Sequence, residues 1–297
     1  SNLATLSRLK WLNSDIGLDD EAFGIYTPVS YEKGEAGILG RKIKCDKSGV
    51  PAQITSMFDD MSASLEGQER ELLASPIKLI VAGEKGEVEF GYGAHEIIQH
   101  TGGALTMLTE GDSPNLKIES WSKTECDGYI SYSVKIKVKN DCALNDIRLE
   151  IPMQKEIAEY MMGMGRKGGY RPGNWDWKWD INRSNSIFWL GTVGAGLQCR
   201  LKGFDDVWEM VNFIGSGIPE NWYNNGNGGC TMQEEADAFN ARIYSGARNV
   251  KAGDELLFRF GLLITPVRPL DNNHWNWRYW HSHEWEKKNS LSDIIPS

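Results

Sequence analysis

A chain of 297 residues with twelve tryptophans and a 40% apolar composition has the material for one large all-β domain or two ordinary ones, and it is not a disordered sequence. Its net charge of −9 excludes a surface that tracks nucleic-acid phosphates, which needs a concentrated basic face; Arg41-Lys42 and Lys287-Lys288 are too short to supply one. No apolar run reaches membrane-spanning length, since even the stretch 256–267 carries Arg259 in its middle.

The start, SNLATLSRLKW, lacks a charged segment followed by an apolar one, so it reads as no secretory leader. Asp15, Asp19, Asp20 and Glu21 follow as an acidic stretch without the ordered spacing of a calcium loop. IKLIVAGEKGEVEFGYG reads as a hairpin turning at Gly-Glu-Lys-Gly. Next to it, Tyr92, His95, Glu96 and His100 form the one early group able to serve acid–base chemistry, with a solvated face as the plain alternative.

GYISYSVKIKVKN (128–140) alternates, with Ile130, Tyr132, Val134, Ile136 and Val138 on one face. After Asn140-Asp141 the segment IRLEIPM repeats the pattern with Ile147, Leu149 and Ile151, which predicts an antiparallel neighbour. QKEIAEYMMGM places Ile157, Met161 and Met164 at helical spacing and predicts a short helix. The five cysteines (Cys45, Cys126, Cys142, Cys199 and Cys230) are scattered and never spaced as CxxC. They read as small buried hydrophobes, with a Cys126–Cys142 bridge as an open alternative.

GMGRKGGYRPG (163–173) contains the spacing GxGxxG. A dinucleotide site needs a strand before these glycines and a helix after them. Here a predicted helix precedes them, and Tyr170, Arg171 and Pro172 lead into the strand NWDWKWD. The glycines therefore read as a loop that needs positive φ or close backbone approach, with no cofactor. On that strand Trp175, Trp177 and Trp179 share a face, opposite Asp176, Lys178 and Asp180. The tryptophans either fill the space between sheets or form a platform for the C–H face of a sugar ring. Packing is the favoured reading for most of them.

NSIFWLGTVGAGLQCRLKG and DELLFRFGLLITPV are two further strand regions. NWYNNGNGG between them is a turn-rich loop with an unusual Trp222-Tyr223 pair, and MQEEADAFNARIY reads as a short helix or as the start of a strand from Asn240. HWNWRYWHSHEW (274–285) holds four tryptophans with His274, His281, His283 and Glu284. A zinc site would need all its nearby histidines to converge, so the preferred reading is an aromatic segment packed on a neighbouring domain, with no metal. No linker divides the chain. The expected organisation is a single large antiparallel two-sheet β-sandwich, supersandwich-like with few short helices, over 1–285, and a linker over 286–297.

LSRLKWLNSDIGLDD, LGRKI, GVPAQI, MGMGRKGGYRP, WDWKWD, FWLGTVGAGLQCRLKG and FGLLITPVRPLDNNHWNWRYWH together resemble the region before the catalytic barrel in glycoside hydrolase family 123-like proteins. The resemblance implies a β-sandwich preceding a (β/α)-barrel, in a large secreted bacterial protein. The barrel of that family carries an Asp-Glu pair for substrate-assisted cleavage of N-acetylgalactosaminides. No alternating βα pattern follows Trp285, and no carboxylate pair here matches that motif. The expected role is thus a non-catalytic module that supports the barrel. Its partners would be that barrel and a glycan, met by Arg166, Lys167, Tyr170 and Arg171 with the tryptophans of the following strand. The four loop side chains are expected to be exposed. The rivals are a free-standing supersandwich enzyme of the aldose epimerase or polysaccharide lyase type, built on the His95–His100 group, and a protein-interaction domain.

Overall fold

A computed structural model describes residues 19–179, 186–202, 220–271 and 273. In chain order the first strands are β1 (Ser30–Glu32), β2 (Glu35–Ile38), β3 (Arg41–Cys45), β4 (Pro51–Ser56) and β5 (Arg70–Glu71). Then come β6 (Lys78–Gly83), β7 (Gly86–Glu87), β8 (Gly91–Tyr92), β9 (Glu96–His100), β10 (Ala104–Asp112), β11 (Leu116–Glu125) and β12 (Tyr129–Val138). The chain continues through β13 (Cys142–Met153), β14 (Tyr160–Gly163), β15 (Asn174–Lys178), β16 (Ile187–Gly191) and β17 (Gly196–Lys202). A four-residue helix α1 (Glu220–Tyr223) precedes β18 (Gly229–Glu234), β19 (Phe239–Tyr244), β20 (Arg248–Val250) and β21 (Glu255–Thr265).

The molecule is an all-β sandwich. One sheet has nine strands, ordered β14-β16-β17-β21-β12-β11-β10-β8, with β9 also pairing β10. The other has seven, ordered β15-β18-β19-β13-β6-β7, with β20 pairing β13. The period-two pattern of β12 holds: Ile130, Tyr132, Val134, Ile136 and Val138 are all buried. They join Ile147, Leu149 and Ile151 of β13 in one core cluster. The hairpin of β6 and β7 forms as its turn residues predict.

Two expectations are corrected and one open alternative is decided. β12 and β13 are not paired: β12 lies between β11 and β21, while β13 lies between β6 and β19 in the opposite sheet. Both edges of β12 are filled by long strands, so the chain crosses over at Asn140-Asp141 and the two apolar faces meet across the core. No helix forms at 154–164. A turn leads into β14, which pairs β16 and buries Met161 while exposing Met162. The helical spacing of Ile157, Met161 and Met164 survives only as burial, because pairing with β16 overrides the helix propensity of the stretch. Of the two readings open for 232–244, the strand from Asn240 holds and the helix does not: the segment is the hairpin of β18 and β19.

Two features were not anticipated. Strands β1 to β5 make a separate five-stranded sheet. Arg41, at the start of β3, is completely buried and joins that sheet to the sandwich. It donates to the carbonyls of Leu39 (2.8 Å), Asp127 (2.9 Å), Ile264 (2.8 Å) and Val267 (3.0 Å). Trp222, read as a loop-tip residue, is buried in the core with its ring edge-on to Phe258, and its indole N–H donates to the Arg259 carbonyl.

On the outer face of the seven-stranded sheet, Glu150 accepts from Arg148 Nε at 2.7 Å and Arg242 Nε at 2.9 Å. Burial alone would raise its carboxyl, yet these two guanidinium groups hold it below the ordinary value of 4.5. The unfolded chain therefore binds more protons here in acid, so this contribution is complete above about pH 5 and is lost as pH falls through and below 4.5. Urea titrations should show a steeper acid loss for the parent than for Glu150→Gln, with the variant about 1 kcal/mol weaker at neutral pH. Parallel pH profiles would exclude this role for Glu150.

Candidate functional site

The glycine loop closes one end of the sandwich. β14 runs into a tight reversal in which Gly163 and Arg166 exchange two backbone hydrogen bonds of 3.0 Å. Its central residues, Met164 (φ 45°) and Gly165 (φ 85°), both lie in the left-handed region, as a type I′ turn requires. The chain then returns beside β14, with Met161 N–H donating to Gly169 O and Tyr160 bridging Tyr170. The order is strand, turn, returning strand. The absence of a helix after the glycines agrees with the loop reading and leaves no helix N-terminus for a pyrophosphate.

The period-two placement of the tryptophans holds, because Trp175, Trp177 and Trp179 are half-buried against the core while Asp176 and Lys178 are exposed. β15 is the edge strand of its sheet and β14 that of the other, so these indoles fill the space where the two edges meet. Their surfaces are largely taken. Trp175 Nε1 donates to Met164 O at 3.1 Å, and the Arg166 guanidinium lies 5.1 Å above its ring. Trp177 lies so close to Gly165 that a Cβ there would come within 2.6 Å of it. Trp179 stands beside Gly228 in the same way.

The four loop side chains divide into two pairs. Tyr170 is 70% exposed, and Lys167 is exposed with no ion pair or hydrogen bond among the described residues. Arg166 and Arg171 are half-covered, which departs from the expectation that all four stand in solvent. Arg166 Nη2 donates to Tyr170 O at 3.1 Å. Arg171 Nη1 donates to Glu234 at 2.8 Å, with its guanidinium 4.3 Å above the Phe239 ring. These two arginines hold the loop down, leaving Lys167 and Tyr170 to face outward. The Glu234 carboxyl is lowered chiefly by the Arg171 hydrogen bond.

Sequence reasoning missed Tyr160. Its ring stacks on Tyr170 with centroids 4.9 Å apart and planes 32° apart. Its phenol is pushed up to about 12, first by the hydrogen bond with Tyr170 and then by Glu159. The expected helix hid this pair, since only a strand with a returning arm brings residues 160 and 170 together.

The two histidines of the rival group do not converge. His95 Nδ1 meets Thr109 Oγ1 at 2.8 Å, and His100 Nε2 meets Val29 O at 2.8 Å. Residues five apart on an extended chain are about 16 Å apart. Burial pushes the Tyr92 phenol up to about 12, which makes it a poor base at neutral pH. His274, His281, His283 and Glu284 lie outside the described residues. Among the described residues all five cysteines are free thiols and no helix is long and apolar enough to cross a membrane.

Comparison with known proteins gives one family and several distant folds. Among solved structures, a galactose mutarotase-related enzyme from Lactobacillus acidophilus has a TM-score of 0.42 and 9% identity, over 82% of this chain and 98% of that one. Alpha-N-acetylgalactosaminidase NagBb from Bifidobacterium bifidum has 0.43 and 12%, over 76% and 35%. Heparan sulfate lyase HepC from Pedobacter heparinus has 0.39 and 7%, over 77% and 33%. No curated protein matches. The family model described as "Glycoside hydrolase 123, third domain" matches residues 29–266, from just before β1 to just after β21. The chain belongs to the glycoside hydrolase 123 third-domain family.

Proposed function

We propose that this chain is a non-catalytic β-sandwich module of a multidomain, secreted carbohydrate-active protein. In that protein it supports a (β/α)-barrel that follows it and contributes loop 163–173 to the glycan-facing surface. The observation that carries the reading is the outward pair of Lys167 and Tyr170, presented on a turn that Arg166 and Arg171 clamp from beneath. A ring already stacked on Tyr160 loses little freedom when it contacts a sugar, and its phenol edge supplies a polar tip. Trp175, Trp177 and Trp179 act in this reading as the support of that surface, because their own faces are occupied. The non-catalytic part is favoured by the engaged, separated histidines and the raised Tyr92 phenol.

The test compares the full parent protein with its loop variants on N-acetylgalactosaminides. Tyr170→Ala combined with Lys167→Ala should raise KM about five-fold, ~1 kcal/mol of uniform binding, with kcat unchanged. The isolated chain should turn over neither these substrates, nor aldoses, nor uronic-acid polysaccharides. An unchanged KM would make the loop a structural connector. Turnover by the isolated chain that His95→Ala or His100→Ala abolishes would establish the enzyme reading instead.

A further inference from the structure

The outer face of the nine-stranded sheet carries an aromatic residue that the loop does not explain. β11 alternates, so Trp121 stands on the solvent side with Glu119 and Lys123, and it is 41% exposed. It lies opposite Ser133 of β12, and the next outward position pairs Lys123 with Ser131. Directly opposed side chains have Cβ atoms roughly 5 Å apart. On the far side of β12, Ser131 is opposite Gly261. A Cβ at Gly261 would come within 2.2 Å of the Tyr129 hydroxyl, so the Tyr129 ring lies over that glycine. The two serines thus form a floor between Trp121 on one side and Tyr129 on the other. Both are half-buried, and neither hydroxyl has a hydrogen-bond partner among the described residues.

The surroundings indicate what fits. Lys123 is paired with Asp20 at 2.7 Å and Glu125 at 3.3 Å, and Glu119 with Lys137 at 2.6 Å and Lys117 at 3.5 Å. Lys202 sits 5.2 Å above the Tyr129 ring. The β11 charges are matched by carboxylate–lysine pairs, Lys202 is engaged by the Tyr129 ring, and Arg259, opposite Ser133, has its own contact, so none of them calls for an ionic ligand. A protein-docking patch presents several hundred Å² of contiguous apolar surface; Trp121 is instead bordered by one apolar residue, the half-buried Leu108 opposite it on β10, and otherwise by hydroxyls and paired charges. A flat indole beside two unused hydroxyls matches a pyranose ring, which has one C–H face and equatorial hydroxyls.

We infer that this trough is a subsite for a neutral pyranose unit, stacked on Trp121 and hydrogen-bonded by Ser131 and Ser133. It is separate from the loop: β11 and β14 are five strand steps apart, about 24 Å. The inference goes beyond the loop reading and does not depend on it.

Affinity electrophoresis of the chain tests it, with soluble galactan and an N-acetylgalactosamine-containing polysaccharide as neutral probes and heparan sulfate as the anionic one. A neutral probe should retard the chain. Trp121→Ala should weaken that retardation at least ten-fold, the Ser131→Ala/Ser133→Ala double variant about three-fold, and Lys85→Ala, at the exposed β6–β7 turn of the other sheet, not at all. Melting temperatures should stay near the parent's, because these side chains lie outside the core. Retardation by heparan sulfate alone, no retardation by either neutral probe, or parent-like behaviour of Trp121→Ala would each overturn the inference. Loss in Tyr170→Ala without loss in Trp121→Ala would also overturn it, while supporting the loop. In the full parent, protection of Trp121 from oxidation by N-bromosuccinimide without added glycan would show that a second domain covers this face, and would overturn it too.

Discussion

Arg41→Met is expected to destabilise the chain by about 4 kcal/mol, read as a lower urea midpoint at an unchanged m-value. Arg41 donates to no carboxylate among the described residues; its cation is held by four backbone carbonyls. Burial pulls its pKa down to about 10, still well above neutral, so it stays charged in the working range. Methionine would fill much of the volume but leave those buried acceptors unpaired, at roughly 1–3 kcal/mol for a buried polar group. Arg41→Lys should recover only part of the loss. A single ammonium has three donors and cannot span carbonyls contributed by β3's approach, the β11–β12 turn and the end of β21. A loss below 1 kcal/mol for the methionine variant would mean that the five-stranded sheet is held to the sandwich chiefly by apolar packing.

Gly163→Ala should cost about 3 kcal/mol and disturb the loop specifically. Two independent costs act at this position. Its φ of +95° is unfavourable for a residue with a Cβ, and an added Cβ would sit 2.2 Å from the Ile187 carbonyl oxygen and 2.8 Å from the Phe188 Cα. Those contacts are backbone atoms of the paired strand β16, so they cannot rotate away. Thermal unfolding gives the stability loss, and amide exchange of Met161 and Arg166, whose N–H groups bond Gly169 O and Gly163 O, reports the loop. Gly169→Ala is the control, since its Cβ meets nothing within 4 Å, although its φ of +132° still carries a backbone cost. Equal losses for both variants would assign the effect to backbone conformation alone and remove the close approach to β16 as a cause.

The sequence by itself determined the strands with clean alternation, because a side-chain period of two is a local property: Ile130 to Val138 and Ile147 to Ile151 are legible as buried faces, and Trp175, Trp177 and Trp179 as a shared one. It also showed that GMGRKG could not open a helix, since Pro172 and an alternating strand follow. The tertiary structure alone decided which strands pair. Alternation is identical whether β13 lies beside β12 or faces it across the core, and the choice rests on β11 and β21 already occupying both edges of β12. Residues 154–164 fell the same way: three apolar residues at helical spacing are also compatible with a turn and a strand, and pairing with β16 selected the strand. The candidate sites depend most on such non-local choices. Tyr160 meets Tyr170 only because the loop returns, and Arg41 reaches Ile264, 223 positions away, only because two sheets meet. Trp121 drew no reading from the sequence, because the serine floor that gives it meaning belongs to a neighbouring strand and is set by register. A local pattern tells a side chain which face it occupies; only the hydrogen-bonded register tells it which residues share that face.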